Sequence, residues 1–192
     1  DYGIFGDERL VSVSDGRAYG IEVLGRVKEL GGINLVMAYT LVRSEFENYS
    51  GALIPTSWDN RHLFNLTATR KFKKNWDIGM KFRFVGGAPY TPYDEEKSGL
   101  KEAWDLTGRG YPDYTLFNTE RLKGFHQLDL RVDKRYYFKG WTLMLYADVQ
   151  NVYNHKADQP SILIRETDAA GNPVTDLSDP LRYSLKYIDG ET

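Results

Sequence analysis

Charged side chains recur with a spacing of two residues in "WDIGMKFRF" and "FHQLDLRVDKRYYF", and this spacing predicts a shared polar surface. In an extended strand, successive side chains point to opposite faces, so residues two apart lie on the same side. Acidic and basic groups alternate along that side, which suits a solvated salt-bridge ladder or a contact with another polar body. The candidates for this surface are Asp77, Lys81, Arg83, Asp129, Arg131, Asp133 and Asp148.

The histidines give no sign of catalysis or metal binding. There are three, His62, His126 and His155, each beside a different predicted strand end, and none has the spacing of a zinc motif such as HExxH. Asp129 follows His126 by three residues, but an odd separation along a strand puts the two side chains on opposite faces. They therefore cannot act as a base and its orienting partner. We predict no catalytic residue, no metal site and no cofactor, and so no enzyme.

Aromatic side chains among acidic residues mark a candidate ligand-binding loop. Loops held by a rigid scaffold commonly carry binding residues, and exposed aromatic rings make strong contacts. A loop that folds on itself is the alternative. The candidate ligand contacts are Tyr90, Tyr93, Trp104, Tyr111 and Tyr114, with Phe117 nearby.

Six segments alternate apolar and polar residues with a period of two, which predicts the β-strands that position these side chains. They are longer than the usual five or six residues. Their length is close to the roughly 9–11 residues that a tilted strand uses to cross a bilayer. The segments are residues 18–28, 33–41, 63–72, 76–84, 125–138 and 141–150.

The connections between these strands alternate between short and long. Short turns on one rim and long loops on the other are typical of outer-membrane barrels, whereas sandwiches have turns every 8–12 residues or so. Residues 161–166 and 181–188 could form a further small hairpin. The short turns are residues 29–32, 73–75 and 139–140, and the long connections are 42–61, 85–124 and 151 to the end.

The cost of the opposite orientation decides which face looks outward. Slipping strand 76–84 by one residue would put Lys81 and Arg83 into lipid at about 2–4 kcal/mol each near the midplane. It would also expose apolar side chains to water, each losing about 1.5–3 kcal/mol of burial. We therefore predict an all-β fold, an antiparallel transmembrane β-barrel segment with its apolar face toward lipid and its polar face toward the lumen. Aromatic residues near strand ends match an interfacial girdle: Tyr19, Trp76, Tyr136, Phe138 and Trp141.

Composition excludes several classes of protein. The chain has 192 residues, a formal charge of −2 and no Cys, which argues against nucleic-acid binding, a disulfide scaffold and thiolate metal sites. No apolar run approaches the roughly 20 residues of a membrane-spanning helix. Residues 1–10, "DYGIFGDERL", lack the basic and apolar regions of a signal peptide.

Five stretches, in this order, resemble the C-terminal barrel strands of TonB-dependent outer-membrane receptors. They are "GRAYGIEVLGRVK", "IPTSWDNRHLFNLT", "NWDIGMKFRFVGGAPYTPYD", "FHQLDLRVDKRYYF" and "LYADVQNVYN". The resemblance covers residues 16–154 and extends more loosely to 188. In that family a 22-stranded barrel encloses a plug domain, and energy from the inner membrane drives substrate uptake.

The resemblance implies that residues 1–192 are the C-terminal part of such a barrel, in the outer membrane of a Gram-negative bacterium. The plug and the early barrel strands would lie upstream, and a closing strand would follow "YIDGET". Implied partners are outer-membrane lipid, the plug and remaining strands, the TonB complex through the upstream part, and a small-molecule or glycan substrate. The substrate could be a ferric siderophore, a cobalamin-like cofactor or an oligosaccharide. Some of the seven polar-face charges would then contact the plug.

Two other functions remain open at this point. A small outer-membrane barrel or adhesin without transport predicts no plug and a chain that closes on itself with about eight strands. A soluble sandwich predicts a chain that stays in solution without detergent.

Overall fold

The computed structural model of the chain describes residues 14–189. Two expectations lie outside the described residues: that residues 1–10 do not form a signal peptide, and that a closing strand follows residue 192. In chain order the strands and helices are β1 (Gly16–Leu30), β2 (Ile33–Glu47), β3 (Leu53–Pro55), β4 (His62–Phe72), β5 (Trp76–Val85), β6 (Pro89–Tyr90), α1 (Glu95–Gly99), α2 (Lys101–Thr107), β7 (Glu120–Arg121), β8 (Phe125–Phe138), β9 (Trp141–Val149), β10 (Ile162–Arg165) and β11 (Leu185–Ile188).

One antiparallel sheet contains all six predicted long strands, in the order β1-β2-β4-β5-β8-β9, and the short β3 pairs with the end of β2. This confirms the predicted antiparallel barrel segment, in which the six strands pair in the order of the sequence. The three short turns each contain a residue with left-handed backbone, which glycine and asparagine adopt most readily: Gly32 at φ 79°, Asn75 at φ 61° and Gly140 at φ 88°. The long connections all leave from the opposite rim.

The register gives the sheet one apolar and one polar face. Met80 pairs with Ala68 on one side and Leu130 on the other, whereas the adjacent Lys81 pairs with Thr67 and Asp129. Within the described residues, the large apolar side chains that are buried are Trp104 and Leu163, and neither lies in the large sheet. Among residues 14–189 the six long strands form a single sheet with no dry core over its apolar face, which fits a barrel segment better than a sandwich.

An apolar face directed toward lipid should leave its side chains exposed when lipid is absent, and of seven such side chains in β5, β8 and β9 only four are exposed. Ile78, Leu130, Leu143 and Leu145 are 43%, 38%, 37% and 54% exposed. Met80, Phe82 and Leu128 are half-buried, because large neighbours on adjacent strands cover them. The ring of Phe64, for example, lies 6.1 Å from that of Phe82.

The sheet is a segment of a barrel and is not closed. Within the described residues, the outer edges of β1 and β9 pair with no other strand. No helix in residues 14–189 is long and apolar enough to span a membrane.

The long connections contain more structure than the sequence indicated. β2 continues to Glu47, beyond the predicted end at residue 41, because its hydrogen bonds with β1 persist after the apolar alternation stops. Residues 85–124 contain the β6–β7 pair, two short α-helices and a 3-10 helix at Tyr114–Leu116. Asp94 caps α1 by accepting a hydrogen bond from the Lys97 amide at 2.8 Å. The predicted small hairpin is present as β10–β11.

Candidate functional site

The polar face of β4, β5, β8 and β9, which we call the polar wall, carries the seven charged residues chosen by their spacing. Asp77 and Asp133 lie directly opposite each other, an arrangement that is repulsive on its own. Arg135 pairs with Asp77 at 2.7 Å, and Arg131 pairs with Asp133 at 2.8 Å. Each carboxylate therefore has its own cation, and this part of the wall is a salt-bridge ladder.

A hollow of about 300 Å³ lies on the polar wall. Four of the seven charged residues line it: Lys81, Asp129, Arg131 and Asp148. The hollow is lined by acidic and basic side chains, together with the uncharged hydrogen-bonding side chains of Thr67, Thr69 and Gln150. This mixture suits contact with a polar protein surface better than capture of a free anion or cation.

Arg83 stands at the start of a hydrogen-bonded chain that leads into this hollow. Its Nη2 donates to Gln127 Oε1 at 2.5 Å, and Gln127 Nε2 donates to Asp129 at 2.6 Å. The backbone amide of Asn151 also donates to Asp129, at 2.9 Å. The Nε of Arg83 is buried and has no hydrogen-bond partner within the described residues. It is therefore a donor that a further polar group could satisfy.

The histidines lie closer together than the sequence suggested. The rings of His126 and His155 stack with centroids 3.8 Å apart, and His126 Nδ1 lies 2.7 Å from the Tyr153 hydroxyl. Separation along the chain concealed this contact, because the connection after β9 folds back over the start of β8. Within the described residues, no group of three or more His, Cys, Asp or Glu side chains is placed to hold a metal ion.

An aromatic pocket of about 420 Å³ lies on the long-loop side of the sheet. Three of the five loop candidates, Tyr90, Tyr93 and Tyr114, line it together with Phe117 and Asn118, and every lining residue is uncharged. Beside the pocket, the hydroxyl and amide of Thr115 hold the pKa of Asp113 below its usual range. The aromatic side chains of such a pocket can stack on a ring of a ligand, and its polar side chains can form hydrogen bonds with the ligand's hydroxyl groups.

The structure separates the other two loop candidates from this pocket. Trp104 is only 4% exposed and lies beneath the guanidinium of Arg165, 5.9 Å from it. Its side chain lies in the interior of the loops and does not line the aromatic pocket, and its contact with a ligand stays a prediction. The Nζ of Lys97 lies 5.8 Å from the ring centroid of Tyr111, and the Tyr111 amide donates a hydrogen bond to Ser98 Oγ at 2.8 Å.

The two longest connections dock onto each other to form one unit, which we call the loop module (residues 89–121 and 160–188). Asp105 on α2 accepts hydrogen bonds from Arg165 at 3.2 Å and from the Tyr183 hydroxyl at 3.1 Å. Arg182 donates to the carbonyls of Glu95 and Glu96, at 3.2 Å and 2.8 Å. Sequence reasoning missed this docking, since residues sixty or more positions apart carry it and no local pattern marks them.

A buried carboxylate anchors the loop module to the sheet. Asp59 has 0% exposure and receives the Ser44 amide at 2.9 Å. Arg121 forms an ion pair with the Asp59 carboxylate and also donates to the backbone carbonyl of Asp59 at 2.5 Å. Arg43 on β2 places its Nη1 3.4 Å from Oδ2 of the same carboxylate. The stretch "TSWDNR" contains one local signal, an acidic residue two positions before an arginine at the entrance of β4, but this signal could not identify Arg121 as the partner.

A family model described as "TonB dependent receptor-like, beta-barrel" matches residues 2–152. A search of curated proteins found no match. Proteins of the matched family are outer-membrane receptors and transporters of Gram-negative bacteria, and the family is not one of enzymes. The matched region covers most of the chain and includes all six long strands, and so the chain belongs to the TonB-dependent receptor-like β-barrel family.

Proposed function

We propose that this chain is the C-terminal part of the barrel of an active importer. Its extracellular loops would capture a scarce nutrient, and energy delivered through TonB would move that nutrient into the periplasm. The observation that carries this proposal is the aromatic pocket, which lies among the long loops of a barrel segment whose opposite rim has only short turns. In outer-membrane barrels the long loops are extracellular.

The polar wall is the proposed contact surface for the plug. A plug inside the barrel meets the lumen face, so alternating charges on that face give it a polar surface to dock on. The unpartnered Nε of Arg83 and the mixed-sign hollow around Lys81 support this assignment. Lumen charges of this kind would hold a plug through many individually weak contacts, which is compatible with its movement during transport.

The lining of the aromatic pocket bears on the choice among substrates. Rings of tyrosine and phenylalanine stack well on flat apolar faces, and the Ser57 and Asn118 side chains supply hydrogen-bonding groups. Because no cation among residues 14–189 lines the pocket, an uncharged oligosaccharide fits it better than an anionic ferric siderophore. A cobalamin-like cofactor remains the third candidate.

Uptake by the full-length receptor tests this function. A strain that relies on the receptor would be given a labelled oligosaccharide, a ferric siderophore or cyanocobalamin, with and without TonB. We expect TonB-dependent uptake of one of them, and at least a tenfold loss in binding for the Tyr93→Ala, Tyr114→Ala double variant, since each ring contributes about 1 kcal/mol or more. Tyr49→Ala, at an exposed position outside the pocket, is the control.

The outcomes separate the candidate functions. Surface binding that never leads to uptake, in either strain, would favour a non-transporting barrel or adhesin. Uptake that the double variant leaves unchanged would keep the importer but move its binding site away from the aromatic pocket.

A further inference from the structure

Charge is segregated between the two faces of β4, β5, β8 and β9. Every carboxylate of these strands lies on the polar wall: Asp77, Asp129, Asp133 and Asp148. On the opposite, apolar face of these four strands, the only arginine or lysine side chains are Arg70 and Lys134. These two outward cations therefore have no carboxylate on their own face of these strands.

Both cations lie close to the short-turn rim. Arg70 pairs with Ile78, and Lys134 pairs with Trp76, the first residue of β5. A cation on the lipid face costs about 2–4 kcal/mol at the membrane midplane but only about 0–1 kcal/mol near the interface. Their position next to the turns therefore puts them at headgroup depth.

The two cations flank an aromatic cluster. Lys134 Nζ lies 5.0 Å from the Trp76 ring centroid and 5.2 Å from that of Tyr136, and it donates to the carbonyl of Lys74. Arg70 lies 5.1 Å from the Phe72 ring centroid. β4 and β8 are two strands apart, so the two backbones are about 10 Å apart across the sheet, with Trp76 between them. Long side chains can converge over that span.

The neighbouring turn adds positive charge to the same place. Lys73 and Lys74 are exposed and form no ion pair with a carboxylate among residues 14–189. The patch of Arg70, Lys73, Lys74 and Lys134 around Trp76, which we call the rim patch, is therefore cationic and without a compensating acid.

We propose that the rim patch binds the phosphate headgroup of an anionic glycerophospholipid in the periplasmic leaflet of the outer membrane. Guanidinium and ammonium groups form charge-assisted hydrogen bonds to phosphate oxygens. Aromatic rings of an interfacial belt lie at the depth of the headgroups, and the acyl chains would continue along the apolar face beyond Ile78. A free phosphate would leave that apolar continuation unused. The patch is also on the rim opposite the long loops, away from the lipid A leaflet.

Lipid binding by the full-length receptor in detergent tests the proposal. Native mass spectrometry would follow phosphatidylglycerol and phosphatidylcholine as the receptor is titrated with each. We expect phosphatidylglycerol to bind the wild type more tightly than phosphatidylcholine. The Arg70→Gln, Lys134→Gln double variant should bind phosphatidylglycerol about tenfold more weakly, because each basic side chain near a membrane surface contributes measurably to anionic-lipid binding.

The matched control removes the same charge from the other face of the same rim. Arg26 and Lys28 lie on β1 beside the β1–β2 turn, on the face of the strand away from the apolar Val27. The Arg26→Gln, Lys28→Gln variant should therefore keep wild-type binding. The charge-preserving Arg70→Lys, Lys134→Arg variant should also bind, which separates loss of charge from loss of folding.

Several results would overturn the proposal. Equal losses in the two glutamine variants would mean that the whole rim attracts lipid without a site. Equal affinity for the two phospholipids would exclude recognition of the anionic headgroup, and competition by lipid A alone would place the site in the other leaflet. The inference does not depend on the imported substrate, since lipid binding can fail while TonB-dependent uptake persists.

Discussion

At the scale of single residues, the Asp59 carboxylate is the contact that ties the loop module to the sheet. The Asp59→Asn variant keeps the shape of the side chain but removes the charge that Arg121 and Arg43 face. Leaving these partners without their anion should cost about 1–3 kcal/mol locally. We expect faster hydrogen exchange at the Leu122 amide, which donates to the Ala88 carbonyl at 3.1 Å, measured by mass spectrometry on the full-length receptor.

A second carboxylate provides the comparison for this prediction. Asp105 also binds an arginine, but its side chain is 57% exposed, and an exposed ion pair contributes only about 0–1 kcal/mol. Asp105→Asn should therefore have the smaller effect on exchange. If the two variants loosen the Leu122 region equally, Asp59 is not the anchor.

Tyr187 offers a prediction about pH. Partial burial of its ring, together with its hydrogen bond to Glu95 at 2.9 Å, raises the pKa of Tyr187 to about 12. A raised pKa means that folding favours the neutral phenol. The contact therefore supports the loop module fully below pH 10, the ordinary tyrosine value, and loses that support as pH rises toward 12.

Ultraviolet titration of tyrosinate absorbance measures this effect. The difference between the wild type and Tyr187→Phe should isolate one phenol that titrates near pH 12. A difference curve centred near pH 10 would show that Tyr187 is not held against Glu95 in solution.

At the scale of strands, the orientation of the two faces can be tested by adding one charge to each. Met80 lies in the middle of β5 on the apolar face, and Met80→Lys should destabilise the folded barrel by about 2–4 kcal/mol. Thr40 lies on the other face of β2, opposite Glu22, and Thr40→Lys should change stability by less than about 0.5 kcal/mol. Urea titration of the full-length receptor in lipid vesicles would measure both, and a larger cost for Thr40→Lys would reverse the faces.

The strands were predictable because their side chains obey a local rule, whereas the loops obey none. The alternation of apolar and polar residues determines the two faces of β5 and β8, and so it predicts that Lys81 and Asp129 lie on the same face. The position of Trp104 was not predictable, since its burial depends on Arg165, which lies far along the chain. The three pocket tyrosines were predicted as aromatic residues of a long loop, but only the folded loop module decides which rings line the pocket.

At the scale of the whole molecule, the open edges of β1 and β9 predict that the 192 residues are not a folding unit by themselves. Unpaired backbone groups cost several kcal/mol each in hydrocarbon, so a transmembrane sheet must pair its edges. The isolated chain, refolded in detergent, should aggregate and show no conductance or ligand uptake. Size-exclusion chromatography and thermal melting would measure this, and a monodisperse monomer with a cooperative transition would favour the small-barrel alternative.

The contrast between short turns and long connections also sets an order of assembly. A hairpin closed by a few residues forms in about 1–10 microseconds. The strand pairs β1–β2, β4–β5 and β8–β9 can therefore each form early, starting from their turns. The seam between β5 and β8 has to bring Val85 and Phe125 together across about forty residues of loop, and closing a longer loop costs more chain entropy. We therefore expect this seam to form last. Until β5 and β8 pair, their edges stay exposed, and a periplasmic chaperone would bind these edges to protect the unfinished barrel.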